Sequence, residues 1–104
     1  MAEELPKRFV AFRQAYPGVF SAYETFGREC AGAGPLAGKA AELVKLGIAI
    51  GARMEGATHA HCRRALGAGA TPAELRHVAL LAATTLGFPN MMAALAWVDD
   101  VVGE

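Results

Sequence analysis

The stretch HCRRALGAGATPAEL, residues 61–75, contains the end of one helix and the start of the next. The glycines in its middle stop the first helix. Thr71 then stands at the N-cap position, with Pro72 at the first helical position and Glu74 three residues after the cap, an order that forms a capping box. The stretch therefore predicts two helices joined by a short turn, the second ending near Leu86.

Helical spacing of apolar residues continues on both sides of this turn, and no run alternates as a strand would. Glycine and proline separate the helical runs. The sequence therefore predicts an all-α chain of six helices that fold as a single domain over residues 1–104. The predicted helices cover about 3–15, 19–30, 36 or 37 to 53, 55 to 67–69, 71–86 and 89–102.

The composition predicts a small, oligomeric helical protein. The chain has 104 residues and is 54% hydrophobic, but only 8% of its residues are aromatic, so alanine supplies much of the apolar content. Alanine favours helices, and a chain of this length has an unfavourable ratio of surface to volume. We therefore expect subunits that complete their burial by forming a homo-oligomer.

The balance of charges and the small number of cysteines argue against several classes of protein. Ten basic residues balance ten acidic ones, so no nucleic-acid partner is expected. Cys30 and Cys62 fit reduced thiols in the cytoplasm better than a disulfide framework, and the charged N-terminal residues do not resemble a signal peptide. The uncharged run 78–98 is interrupted by Gly87 and Pro89, which favours two buried helices over a membrane span.

The stretch EGATHAHCRRA, residues 55–65, brings two histidines, a cysteine, a glutamate and two arginines together. On a helix, Glu55, His59 and Cys62 share one side, whereas His61 lies apart from them in a band of small and apolar residues. Two histidines at this spacing point in different directions, and a structural zinc site needs four ligands. We therefore expect no metal and no other cofactor.

Cys62 has two interpretations. The neighbouring histidines and arginines would lower its pKa and produce a reactive thiolate. However, Cys62 lies in the middle of a helix, where the helix dipole has little effect, and no second cysteine stands at C-x-x-C spacing. A free cysteine is more often a small buried core residue, so the pattern favours the core interpretation.

His61 is a candidate general acid or base, because the pKa of histidine lies near neutral pH. Its carboxylate partner could be Glu55 on the same helix or Glu42 on the preceding helix. Alternatively, His61 is a hydrogen-bonded core residue, and Glu42 forms a surface ion pair with Lys39 or Lys45, three residues away on either side. The pattern by itself favours this second interpretation.

Three stretches together resemble the carboxymuconolactone decarboxylase and alkylhydroperoxidase D-like superfamily. They are ELVKLGIAIGAR (42–53), HCRRALGAGATPAEL (61–75) and LLAATTLGFPNMMAAL (80–95). The resemblance covers about 35–102 and leaves the N-terminal helices, 3–30, as a variable part. It implies an all-helical subunit that assembles as trimers or hexamers, with sites near the subunit contacts.

The resemblance also assigns positions in the candidate site. His61 falls on the histidine of the peroxidase branch, and Glu42 falls on its glutamate. The two redox cysteines of that branch would stand at Met54 and Ala57, so this chain lacks the attacking and resolving thiols of such a peroxidase. The resemblance therefore implies that Glu42 belongs to the site rather than to a surface ion pair. It also implies that hydroperoxide reduction in this chain would have to use Cys62 alone.

The decarboxylase branch also lacks the cysteine pair, and this chain resembles it in having Glu55 six residues before the histidine. Its reaction removes carbon dioxide from a small lactone acid, which requires proton transfer and recognition of a carboxylate. The resemblance implies that His61 moves the proton with Glu42 or Glu55. The arginines that could bind the substrate carboxylate are Arg53, Arg63 and Arg64.

The sequence thus leaves three hypotheses for function. The first is decarboxylation or a related proton transfer on a small organic acid, with His61 as the central residue. The second is reduction of an alkyl hydroperoxide through Cys62. The third is an oligomeric binding or structural protein without catalytic activity, in which replacing His61 or Glu42 affects stability more than turnover.

Overall fold

The structure, a computed structural model, describes residues 5–103, and its regular secondary structure is helical. In this range there are no strands and seven helical segments: α1 Lys7–Ala15, α2 Pro17–Ala31, α3 Gly38–Gly51, α4 Glu55–Gly67, α5 Pro72–Leu81, α6 Ala83–Leu86 and α7 Phe88–Val102. The all-α class and the six predicted helices are confirmed, with α6 as a short additional turn. Residues 3 and 4 of the first predicted helix lie outside the described range. None of the described helices is long and apolar enough to cross a membrane.

The chain forms two compact units, one ending at Pro35 and the other beginning at Leu36. In the first unit, α1 and α2 pack through Phe9 and Phe20, whose ring centroids lie 5.7 Å apart in an edge-to-face arrangement. The guanidinium of Arg13 lies 5.7 Å from the first centroid and 5.8 Å from the second. The second unit contains α3 to α7 and the candidate site. That the two units form a single domain stays a prediction.

The core of the second unit contains few large side chains and many alanines. Leu46, Leu75 and Val98, from α3, α5 and α7, are fully buried. Short alanine side chains allow helices to approach each other closely, and α4 packs against both α3 and α7. The buried alanines are Ala49, Ala65, Ala70, Ala79, Ala82 and Ala94.

The predicted capping box at the start of α5 is confirmed. The Glu74 backbone N–H donates to Thr71 Oγ1 at 3.1 Å, and the Thr71 backbone N–H donates to Glu74 Oε1 at 2.9 Å. Lys39 Nζ donates to the other Glu74 oxygen at 3.1 Å. The hydrogen bond from the Thr71 backbone, and then that from Lys39, lower the pKa of Glu74 below its usual value. The box therefore fixes the start of α5, and the contact with Lys39 connects that start to the first turn of α3.

The predicted fifth helix, 71–86, is interrupted at Ala82. The Ala82 N–H donates to the Ala79 carbonyl at 3.0 Å and the Thr85 N–H donates to the Ala82 carbonyl at 3.2 Å, so these bonds span three residues instead of four. Thr85 Oγ1 also donates to the Leu81 carbonyl at 3.2 Å, a local side-chain bond that competes with regular helix. The sequence pattern predicted the helix and missed this tighter turn.

The connection between α3 and α4 depends on Arg53, which has a φ of 62° and is the only residue other than glycine with positive φ in the described range. Its guanidinium donates to Asn90 Oδ1 and lies 5.7 Å from the centroid of the Trp97 ring. Both partners belong to α7. A residue with a Cβ atom adopts this conformation at a cost of about 1–2 kcal/mol, so these contacts hold the turn from which α4 starts.

Replacing Thr71 with alanine removes the hydroxyl that caps α5. We expect the free energy of unfolding to fall by about 1 kcal/mol and the Tm to fall by about 4–8 °C. Thr71→Ser keeps the hydroxyl acceptor and should retain most of this stability. Urea denaturation followed by circular dichroism compares the two variants, and equal losses in both would contradict the role of the hydroxyl.

Two substitutions at Arg53 separate backbone strain from side-chain contacts. Arg53→Ala loses the contacts with Asn90 and Trp97 and keeps the strain, whereas Arg53→Gly loses the same contacts and relieves the strain. We therefore expect the glycine variant to be more stable than the alanine variant by about 1 kcal/mol. Thermal unfolding measures the difference, and a less stable glycine variant would refute the strain.

Candidate functional site

The central feature of the site is a contact between a histidine and a glutamate on neighbouring helices. Helix α4 presents His61 and α3 presents Glu42, and His61 Nδ1 lies 3.0 Å from Glu42 Oε1. The side chains are only 18% and 19% exposed. The sequence left open whether Glu42 belonged to the site or to the surface, and the structure brings it to His61.

The Glu42 carboxylate lies between two basic groups. One oxygen contacts the imidazole of His61, and the other lies 3.9 Å from Lys45 Nζ. Lys39, the other predicted surface partner, instead pairs with Glu74. Since a carboxylate accepts hydrogen bonds, it assigns the donor role to His61 Nδ1. The pair is therefore oriented, with Nε2 as the imidazole nitrogen that can exchange a proton with a bound molecule.

Helix α4 packs through a stripe of small residues, Thr58, Cys62 and Ala65, all fully buried. These residues stand at helical spacing on one side, and His59 and His61 lie on opposite edges of that side. Thr58 Oγ1 is the one buried side-chain oxygen or nitrogen without a hydrogen-bond partner in the described range. The buried stripe thus separates two histidines that are close in sequence.

Cys62 lies inside the core. Burial raises the pKa of its thiol to about 11, and the nearby charge of Arg63 only partly opposes this shift. The thiol is therefore protonated at neutral pH, in contrast to the acidic thiol that hydroperoxide reduction through Cys62 requires. These observations favour the core interpretation of this residue.

Glu55, the other predicted partner of His61, instead contacts His59. Their closest side-chain atoms, Glu55 Oε2 and His59 Nε2, lie 3.9 Å apart, and the same nitrogen lies 3.0 Å from Asp100 Oδ2 on α7. Sequence reasoning missed Asp100 because it is 41 residues from His59. The spacing of Glu55 and His59, four residues apart, was the only local signal of this group.

The three predicted anion-binding arginines lie in different surroundings. Arg53 is exposed and is held by Asn90 and Trp97. Arg63 is half-buried next to Cys62, and Arg64 is exposed. Arg64 follows His61 by three residues, a spacing that places both on the same side of α4.

The sequence profile of the carboxymuconolactone decarboxylase family matches residues 17–100. The match begins at the start of α2 and so extends beyond the 35–102 region on which the resemblance was based. No curated protein and no solved structure gives a significant match. Since the match covers most of the sequence, the chain belongs to the carboxymuconolactone decarboxylase family.

Proposed function

We propose that the protein catalyses decarboxylation, or a closely related proton transfer, on a small organic acid. His61 is the proton donor and acceptor, and Glu42 is the residue that positions it. The observation that supports this proposal is the 3.0 Å contact between His61 Nδ1 and Glu42 Oε1 in a largely buried setting. A carboxylate that orients an imidazole is a common arrangement for general acid and base catalysis.

The proposed reaction breaks the bond between the substrate carbon and its carboxylate. Carbon dioxide leaves, and the electron pair of the broken bond stays on the carbon. The imidazolium of His61 then donates the proton from Nε2 to that carbon and regains a proton from solvent. Glu42 stabilises the imidazolium and accepts the hydrogen bond that Nδ1 donates. Because the pair is largely buried, its electrostatic interactions are stronger than in water.

Recognition of the substrate carboxylate requires a cation near His61. Of the three candidate arginines, Arg64 is the best placed, since it lies one helical turn after His61. Arg53 already has partners on α7. Lys45, which lies 3.9 Å from Glu42, supplies a second positive charge near the pair. We therefore assign substrate binding first to Arg64, with Lys45 as an addition that the sequence did not suggest.

We further propose that the protein acts as a cytoplasmic homo-oligomer, a trimer or hexamer as the family resemblance implies. Both cysteines are free, which agrees with a reducing compartment. Large apolar side chains remain exposed in the second unit, as expected for surfaces that a second subunit covers. These side chains include Val44, Ile48, Leu80, Leu81, Phe88 and Met92.

The proposal predicts that replacing His61 with glutamine lowers kcat by about 10²- to 10⁴-fold, because the proton donor is lost. Glu42→Gln should lower it less, and Glu42→Asp should restore part of the rate, because a carboxylate is again present. The measurement is release of carbon dioxide from a panel of lactone carboxylic acids and β-keto acids. His77→Ala, at an exposed histidine on α5, is the control.

Two outcomes would contradict this function. If His61→Gln releases carbon dioxide at the native rate, His61 is not the proton donor. If the native chain is inert towards the whole panel, the non-catalytic alternative is favoured. Circular dichroism of each variant separates loss of activity from loss of the fold.

The state of the two thiols tests the peroxidase alternative. At a pKa of about 11, only about one Cys62 side chain in ten thousand is a thiolate at pH 7. We expect one thiol, Cys30, to react rapidly with a disulfide reagent, and Cys62 to react only after unfolding. In Cys30→Ala the rapid reaction should disappear. Rapid modification of Cys62 in the folded chain, with hydroperoxide turnover that Cys62→Ala abolishes, would support the peroxidase instead.

A further inference from the structure

We propose that Glu55, His59 and Asp100 form a binding site for a divalent metal ion such as Zn²⁺. Each residue offers one ligand atom, and the three atoms all lie within 4.8 Å of one another. Glu55 and His59 come from the first turns of α4, and Asp100 comes from the last turns of α7. The site is separate from the His61–Glu42 pair and does not depend on the proposed function. It departs from the expectation of no metal, which rested on the ligands within residues 55–65, because the fold adds Asp100 to them.

The separations between the ligand atoms suit a metal ion. Nitrogen and oxygen ligands at about 2.0–2.2 Å from a tetrahedral zinc ion are about 3.4 Å apart. His59 Nε2 lies 3.0 Å from Asp100 Oδ2 and 3.9 Å from Glu55 Oε2, so the observed separations fall on both sides of this value. The third separation, between the Glu55 and Asp100 oxygens, is at most 4.8 Å. Binding of one ion would therefore require the two exposed carboxylates to rotate towards it.

The chemistry of the ligands defines the class of ion. Two carboxylates and one imidazole form a nitrogen and oxygen donor set that suits zinc and similar first-row divalent ions. Two carboxylates carry a charge of −2, which a divalent cation neutralises. The side chains of Glu55 and Asp100 are 58% and 55% exposed, so water can complete the coordination.

A metal ion bound by these three residues and water would link two helices. His59 and His61 are two residues apart on α4, and their side chains point about 160° apart on the helix. His61 contacts α3, whereas His59 contacts α7. A metal at Glu55, His59 and Asp100 would therefore connect the beginning of α4 to the end of α7, on the edge of α4 away from the candidate active site.

The test is calorimetric titration of ZnCl₂ into the full chain carrying Cys30→Ser, which removes the exposed thiol as a competing ligand. We expect one Zn²⁺ per chain. Free Zn²⁺ at about ten times its dissociation constant should raise the Tm by about 5–10 °C. His59→Ala, Glu55→Gln and Asp100→Asn should each weaken binding at least tenfold.

His77→Ala in the same background is the matched control and should bind as the parent does, since His77 is also exposed but lies on α5. The two carboxylate variants keep side-chain size at exposed positions, so they retain the fold even if His59→Ala does not. Absence of saturable binding at millimolar Zn²⁺ would refute the site. Native affinity in the two carboxylate variants would also refute it.

Discussion

The close packing of α4 against α3 and α7 is the constraint on which the other features of the second unit depend. Thr58, Cys62 and Ala65 form the buried contact surface of α4, and their small side chains let the neighbouring helices approach. The two edges of this surface then bring polar groups together. His61 contacts Glu42 on one edge, and His59 contacts Asp100 on the other. Both histidine contacts are therefore consequences of one packing arrangement.

This packing also explains why Cys62 differs from the cysteines of a thiol peroxidase. A reactive thiol needs exposure and a nearby positive charge or helix N-terminus. Cys62 lies at the centre of the buried stripe, where desolvation outweighs the charge of Arg63. Met54 and Ala57, the positions at which the resemblance implies the cysteines of the peroxidase branch, stand at the N-cap and in the first turn of α4. The contact between Glu42 and His61 is the observation on which the proposed acid and base chemistry rests.

A core rich in alanine has consequences for stability. Alanine buries less apolar area than leucine or valine, so each buried position contributes less. The buried hydroxyl of Thr58, which has no partner within the described residues, adds a desolvation cost of about 1–3 kcal/mol. Polar contacts between helices, such as Arg76 Nε with Asp99 Oδ1 at 2.9 Å, partly offset this deficit. Subunit association and metal binding would stabilise such a fold further.

The sequence by itself determined the helices and most of their ends, because these depend on local interactions. The capping box at Thr71 and the spacing of apolar residues act within a few residues of chain. Local pattern also separated His61 from His59, since helix geometry fixes their relative directions. It did not reveal the irregular turn at Ala82, where backbone bonds that span three residues and a side-chain bond from Thr85 interrupt the helix.

Only the tertiary structure decided which acid meets which histidine. The sequence left both Glu42 and Glu55 as candidate partners of His61, and the contact with Glu42 depends on how α3 and α4 pack. Asp100, which contacts His59, is 41 residues away from it along the chain. Such contacts depend on the crossing of helices, which is set by the shapes of all the buried side chains together. No local pattern contains that information.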